Sequence, residues 1–396
     1  MLTPEELRHY QRHLSLPEFG PEGQERLKAG SVLVIGAGGL GCPALQYLAA
    51  AGVGRIGICD FDRVEVSNLQ RQVLFGYSQL DQPKAEAAAD RLADLNPHVE
   101  LRPHIERFSP ENAERLLADY DLVLDGTDNF PTRYLVNDAC VKFGKPLAFG
   151  SIFKFEGQVT VFNHQDGPTY RCLFPQSPDP KDVPNCAEIG VIGVLPGIIG
   201  SLQANEAIKI LSGVGEVLSG KLLLFDALTL RSHLISFSPV PENKMVDELR
   251  EIDFSCETPS RSDGSNRDSD PKSLVTEDEL EGQDVIPQLY PEQVRDLLAG
   301  SEPPLLVDVR EPWERDLCKI EGSFSLPLGH LRQPPPVELP PELSPEKETV
   351  FYCHAGVRSQ MACEILTQTY GFQKTRNLIG GIDLWAQAID TDMPRY

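Results

Sequence analysis

The chain has 396 residues, 41% of them hydrophobic and 24% charged, which predicts a water-soluble protein of two domains rather than one. With 36 basic against 59 acidic residues the net charge is −23, so the surface repels phosphate backbones and nucleic-acid binding is excluded. No apolar run is long enough to span a membrane, and the start Met1-Leu2-Thr3-Pro4-Glu5-Glu6 lacks a secretory pattern; a cytoplasmic protein is expected.

Thr3-Pro4-Glu5-Glu6 reads as N-cap, first-turn proline and capping-box glutamate of a helix that carries Arg8 and Arg12. Next come a buried strand from Ser31 to Gly36, a helix from Gly39 to Ala51, and a second strand from Arg55 to Asp60. A helix over Pro83 to Leu95 and strands at Asp121–Asp125 and Leu147–Gly150 continue the alternation. This βαβ rhythm predicts a parallel sheet with helices on both faces. Gln158–Phe162, Lys221–Phe225 and His233–Phe237 read as antiparallel strands, so the sheet becomes mixed. Pro175 to Pro184 reads as a mobile, proline-rich loop.

The stretch Asp253 to Asp284 has ten acids, three bases and no apolar cluster, and reads as a disordered tether. The expected organisation is therefore an α/β domain over 1–252, an acidic linker over 253–284 and a small α/β domain over 285–396. In the last, Pro304–Val309 and Thr349–Cys353 read as strands.

Gly36-Ala37-Gly38-Gly39-Leu40-Gly41 lies between a strand and a helix, with Asp60 closing the next strand. The glycines admit a phosphate close to a helix N-terminus, and the acid suits ribose hydroxyls. That pattern alone does not separate NAD from ATP. Arg71 and Lys84 supply cations for a triphosphate and Asp128 a carboxylate for Mg²⁺, the chemistry of adenylyl transfer.

RHYQRHL, GAGGLG, DFDRVEVSNLQRQ, QPK, DGTDN, NCAEIGV and LQANEAIKIL occur in that order. With them the chain, from Arg8 to about Phe237, resembles the E1-like adenylyltransferases of the MoeB/ThiF type, which activate ubiquitin-like sulfur carriers. The resemblance implies a Rossmann-like fold and ATP contacts from Gly39, Asp60, Ser67, Asn68, Arg71, Lys84 and Asn129. It implies that Asp128 binds Mg²⁺ and positions the α-phosphate, and that Arg12 reaches ATP across a homodimer. It also implies zinc held by two C-x-x-C pairs, but Thr169-Tyr170-Arg171-Cys172 stands where the first would lie and only Cys256 near the second. Zinc is therefore not expected, and Cys172 and Cys256 read as structural or incidental thiols.

The nine cysteines form no regular framework, which argues for reduced thiols. Cys42, Cys59, Cys140 and Cys363 lie in apolar patterns and read as core. Cys353-His354-Ala355-Gly356-Val357-Arg358-Ser359 follows a strand and precedes a helix, so loop N–H groups stabilise a thiolate or persulfide there, with Arg358 adding positive charge. A C-x4-R loop is one residue shorter than that of cysteine phosphatases and suits a sulfur atom better than a phosphoryl group. With DVREPWE and GGIDLW, this half resembles the rhodanese family. Cys186 corresponds to a cysteine some E1-like members use for a thioester or disulfide, and a structural cysteine is an equal reading.

The combined expectation is a bifunctional enzyme. It adenylates the C-terminal glycine of a Gly-Gly carrier and then transfers persulfide sulfur from Cys353, loaded by a cysteine desulfurase or thiosulfate. Its rivals are a conjugating enzyme that uses a Cys186 thioester, an NAD-dependent oxidoreductase and a non-catalytic scaffold.

Overall fold

The computed structural model describes residues 1–177, 190–251, 286–332 and 339–395. The chain divides into two compact units, Met1–Ser262 and Asp263–Tyr396. The expected tether and Cys186 and Cys256 lie outside the described residues, as does most of the proline-rich loop.

In the first unit, β1 (Ser31–Ile35), β2 (Arg55–Cys59), β3 (Glu100–His104), β4 (Leu122–Asp125), β5 (Leu147–Phe153), β6 (Glu156–Phe162), β7 (Lys221–Asp226) and β8 (Arg231–Ser236) form one sheet. Its order is β3-β2-β1-β4-β5-β6-β7-β8. The pairs from β3 to β5 are parallel, and those from β5 to β8 antiparallel. The change follows connection length, since β5 and β6 are joined by only Lys154 and Phe155, too few residues for a parallel crossover. Every residue of β1 is buried, as a central strand covered on both faces must be. One face packs on helices Gly41–Ala51 and Lys84–Leu95 through Val32, Val34, Leu45, Leu48 and Leu92. The other packs on helix Phe130–Lys142 through Leu33, Val123, Leu135 and Val136.

β3 went unread in the sequence. Its ELRPH is polar and contains a proline, which an edge strand tolerates and a central one does not. The expected first helix also needs correction. Its capping box forms as expected, with Thr3 Oγ1 accepting from Glu6 N–H at 3.2 Å and Glu6 Oε2 from Thr3 N–H at 2.7 Å. The helix nevertheless ends at His9, and Arg12 lies on a separate short helix, Gln11–Leu14. Tyr10 forces the break. Its ring is buried tightly over Gly52, where a Cβ would come within 2.5 Å, and its hydroxyl accepts from Asn96 at 2.8 Å.

The second unit holds a parallel sheet of β9 (Gln288–Leu289), β10 (Leu305–Asp308), β11 (Phe324–Ser325), β12 (Thr349–Tyr352) and β13 (Thr375–Leu378), in the order β11-β10-β12-β13-β9. β12 stops one residue earlier than expected, so Cys353 begins the loop rather than ending the strand. Phe351, Ala362 and Leu366 fill one side of this sheet, and Val350, Tyr352 and Trp385 the other.

Candidate active sites

At the carboxyl ends of β1, β2 and β4 three loops leave the sheet together, where connections from β1 and β4 run to opposite faces, the usual place for a nucleotide. They are locked to one another. Gly36 N–H donates to Cys59 C=O and Gly126 N–H to Ile35 C=O, both at 2.8 Å. A Cβ on Gly36, whose φ is +93°, would approach Gly126 O to 2.8 Å; one on Gly41 would meet Gly36 O at 1.9 Å. Glycine is needed at both positions because backbone meets backbone. The helix accordingly starts at Gly41, leaving Gly36–Leu40 as an open turn over its N-terminus.

Asp60 holds this turn. Its Oδ2 accepts Ala37 N–H at 2.7 Å and its Oδ1 accepts Asp62 N–H at 2.8 Å. Burial pushes its carboxyl above the ordinary range, against the pull of those N–H groups and of Lys84. Lys84 opens the helix Lys84–Leu95 and is buried; its Nζ lies 3.1 Å from Asp62 Oδ2, which closes the long segment after β2. Within that segment Ser67 and Asn68 sit on the turn Val66–Asn68, and Arg71 Nη1 donates to Ser67 C=O at 3.2 Å. Gly39 faces the same arginine, since a Cβ there would lie 3.5 Å from Arg71 Cδ.

After β4, Asp125 is fully buried and accepts from Thr127 N–H at 2.9 Å and Thr127 Oγ1 at 2.6 Å. That bend exposes Asp128 and Asn129 at the end of the sheet; Asn129 caps helix Phe130–Lys142 by accepting Thr132 N–H at 3.0 Å. Thus Gly39 and Arg71 adjoin, Asp60 and Lys84 are tied through Asp62, and Asp128 and Asn129 share the neighbouring loop. Arg12 is exposed on its own short helix, Gln11–Leu14. Asp62 was missed in the sequence; its only signal was its place in DFD.

The second site lies at the end of β12. Cys353 is fully buried; its Sγ accepts Gly356 N–H at 3.0 Å and faces Ser359 Oγ at 3.5 Å. Gly356, at φ +98°, turns the loop into helix Val357–Tyr370. Gly380 and Gly381 press against it from below, a Cβ on Gly381 falling 2.3 Å from Cys353 O, while Ile382 N–H donates to that carbonyl at 2.8 Å. Arg358 is clamped by Glu314 in two bonds of 2.7 Å each. Glu314 and Ser359 carried no role in the sequence reading, although both stand in the motifs quoted there. Asp308 and Arg310 of DVREPWE form a buried ion pair at 2.7 Å, capped by Tyr352 hydroxyl at 2.9 Å: a brace for the fold.

Cys42, Cys59, Cys140 and Cys363 are buried as expected. Burial pushes Cys42 and Cys59 to about 12 and raises Cys140 and Cys363 as well, so all four stay protonated and unreactive. Among the described residues no helix is long and apolar enough to cross a membrane.

Residues 10–246 match the ThiF family, and residues 290–388 the rhodanese-like domain. The probable adenylyltransferase/sulfurtransferase MoeZ of Mycobacterium tuberculosis is 41% identical over 400 residues, covering 100% of this chain and 96% of that protein. The adenylyltransferase and sulfurtransferase MOCS3 of Drosophila yakuba is 38% identical over 404 residues, covering 100% and 86%. The sulfur carrier protein adenylyltransferase of Thermus thermophilus is 59% identical over 231 residues, covering 57% of this chain and 85% of that one. The crystal structure of E. coli MccB with ATP superposes with a TM-score of 0.52 at 20% identity, over 59% of this chain and 72% of that one, which shows a shared fold. The chain belongs to the ThiF family, carries a rhodanese-like domain after its ThiF domain, and is an enzyme of the adenylyltransferase and sulfurtransferase kind.

Proposed function

We propose that the enzyme activates the C-terminal glycine of a ubiquitin-like sulfur carrier ending in Gly-Gly and converts it to a thiocarboxylate. The single observation that carries this reading is that one chain holds both a phosphate-admitting turn beside Arg71 and a buried thiol whose sulfur accepts a loop N–H.

In the first step a carrier carboxylate oxygen attacks the α-phosphorus of ATP, the bond to the β-phosphate bridge breaks, and pyrophosphate leaves. Gly39, Ser67, Asn68 and Asn129 line the nucleotide, Asp60 fixes the turn beneath it, and Arg71 and Lys84 offset charge on the phosphates. Asp128, exposed at the loop end, is the carboxylate that would hold Mg²⁺, which neutralises phosphate charge when bound. Arg12 of the partner subunit completes the site in a homodimer.

In the second step the terminal sulfur of a Cys353 persulfide, loaded by a cysteine desulfurase or thiosulfate, attacks the acyl carbon; the bond to AMP breaks. The resulting acyl disulfide is cleaved when a second thiol, Cys186 or a cellular thiol, attacks the Cys353 sulfur. The carrier leaves as thiocarboxylate, and the new disulfide is reduced by a cellular dithiol. Gly356 N–H and Ser359 stabilise the sulfur anion, and Arg358 holds the loop's exit. Such an enzyme works in the cytoplasm.

Carrier-dependent ATP–pyrophosphate exchange tests the order of events. Asp128→Ala is expected to abolish exchange, whereas Cys353→Ala keeps exchange and loses thiocarboxylate formation. Loss of exchange in Cys353→Ala sinks the two-site reading.

A further inference from the structure

The metal implied by the family resemblance is a zinc ion between two C-x-x-C pairs, and the structure shows what occupies the first of these places. Thr169 and Cys172 sit at the ends of one turn, and Val240–Asn243 lies against them across 68 to 74 residues of chain. Cys172 Sγ accepts Thr169 N–H at 3.3 Å and Val240 N–H at 3.2 Å. Its thiol hydrogen has two acceptors, Thr169 Oγ1 at 3.4 Å and Val240 O at 3.8 Å. Thr169, fully buried, donates its hydroxyl to Asn243 C=O at 3.0 Å, and Asn243 Nδ2 donates back to Arg171 C=O at 2.9 Å.

A closed zinc site takes four side-chain ligands, thiolates above all. Among the described residues Cys172 is the single sulfur here, joined by a hydroxyl, an alkyl group and a carboxamide, and the hydroxyl and carboxamide are already committed to carbonyls. Among the described residues no three His, Cys, Asp or Glu gather where a metal would sit. The donor set does not fit zinc.

We propose that hydrogen bonds among Thr169, Cys172, Val240 and Asn243 replace the metal, so that the adenylation domain is cross-linked without zinc. The two strands of chain meet at distances a hydrogen bond spans, so no ion is needed to bridge them. The staple closes a stretch containing helix Val194–Ser212, β7 and β8, and it anchors the segment that leads towards Cys186. Tyr134 hydroxyl extends that anchorage, contacting Phe174 O at 3.1 Å and Gln176 O at 2.7 Å. This inference does not depend on which protein the domain activates.

The test uses the full chain expressed with added zinc. Its metal content is expected to be far below one zinc per chain, and a zinc-selective chelator is expected to change neither Tm nor ATP–pyrophosphate exchange. Stoichiometric zinc whose removal lowers Tm overturns the proposal. Thr169→Val, which strands the Asn243 carbonyl, is expected to lower Tm by about 2–4 °C with no change in metal content. An unchanged Tm in that variant overturns the staple. The triple variant Thr169→Cys, Val240→Cys, Asn243→Cys completes two C-x-x-C pairs with Cys172. It is expected to bind one Co²⁺ per chain, with thiolate charge-transfer absorption; folded protein that binds none shows that these positions are not the counterpart of the metal site. Carrier-dependent exchange failing in the wild type counts against the proposed function alone, since metal content and Tm still report on the staple.

Discussion

Arg358 shows how a motif residue finds its partner far along the chain. In the sequence it reads as a cation beside the sulfur. In the structure its guanidinium is taken by Glu314, which also accepts Glu311 N–H at 2.9 Å and so ties helix Pro312–Leu317 to the sulfur loop. Beside the sulfur, Gly356 N–H donates to Cys353 Sγ, and the Ser359 hydroxyl lies 3.5 Å from that sulfur and 3.0 Å from Gly356 C=O. Ser359→Ala is expected to slow persulfide loading about tenfold, one hydrogen bond to a charged atom at about 1.5 kcal/mol, as read by thiosulfate sulfurtransfer. An undiminished rate removes Ser359 from the site. Glu314→Ala removes the carboxylate that pairs with a mostly buried arginine and is expected to destabilise the rhodanese-like unit by about 3 kcal/mol in denaturant unfolding, with ATP–pyrophosphate exchange unchanged. The thiol loop was legible because its residues are consecutive. Its counter-ion was not, because Glu314 stands 44 positions away and only the packing of two helices brings it near.

Elements built from local rules were read almost as they stand. The strand, turn and helix around Gly36–Gly41 follow from an apolar run, glycines at a backbone crossing and a helix behind them. Gly41→Ala is expected to abolish ATP binding in calorimetry and to cost about 3 kcal/mol or more, because the added methyl would overlap the Gly36 carbonyl. The first helix carries a pH signature. Burial alone would raise Glu6, but the Lys28 ammonium and the Thr3 N–H outweigh it and hold its carboxyl below its usual 4.5. A depressed carboxyl contributes stability that is present above that ordinary value and lost as the pH falls through the folded one. Glu6→Gln is therefore expected to flatten the acid limb of Tm against pH; an acid limb as steep as the wild type's contradicts the pairing. Where the elements departed from expectation, tertiary position prevailed over local pattern: Tyr10 ended the helix to pack on Gly52, and β3 formed from a polar, proline-bearing run by taking the sheet edge.

At the scale of the whole molecule, the ThiF domain and the rhodanese-like domain fall in two compact units of one chain. Joining two domains in one chain supplies each site to the other at an effective concentration up to about the millimolar range. Cutting the chain within 253–284 is expected to leave exchange intact while thiocarboxylate formation falls at low protein concentration and recovers as the C-terminal half is added in excess. Rates that match the uncut chain at low concentration show that the connection contributes nothing.

The sequence by itself determined the two chemistries, because the nucleotide turn and the sulfur loop each need donors and glycines at fixed spacing along one short stretch of backbone. It also determined the alternation of elements, which reflects periodic burial of side chains. Only the tertiary structure decided which distant groups answer them: Glu314 for Arg358, Asp62 for Lys84, and Val240–Asn243 for Thr169 and Cys172. Those pairings depend on strand order and on how helices lie across the sheet, and short-range patterns leave both unspecified.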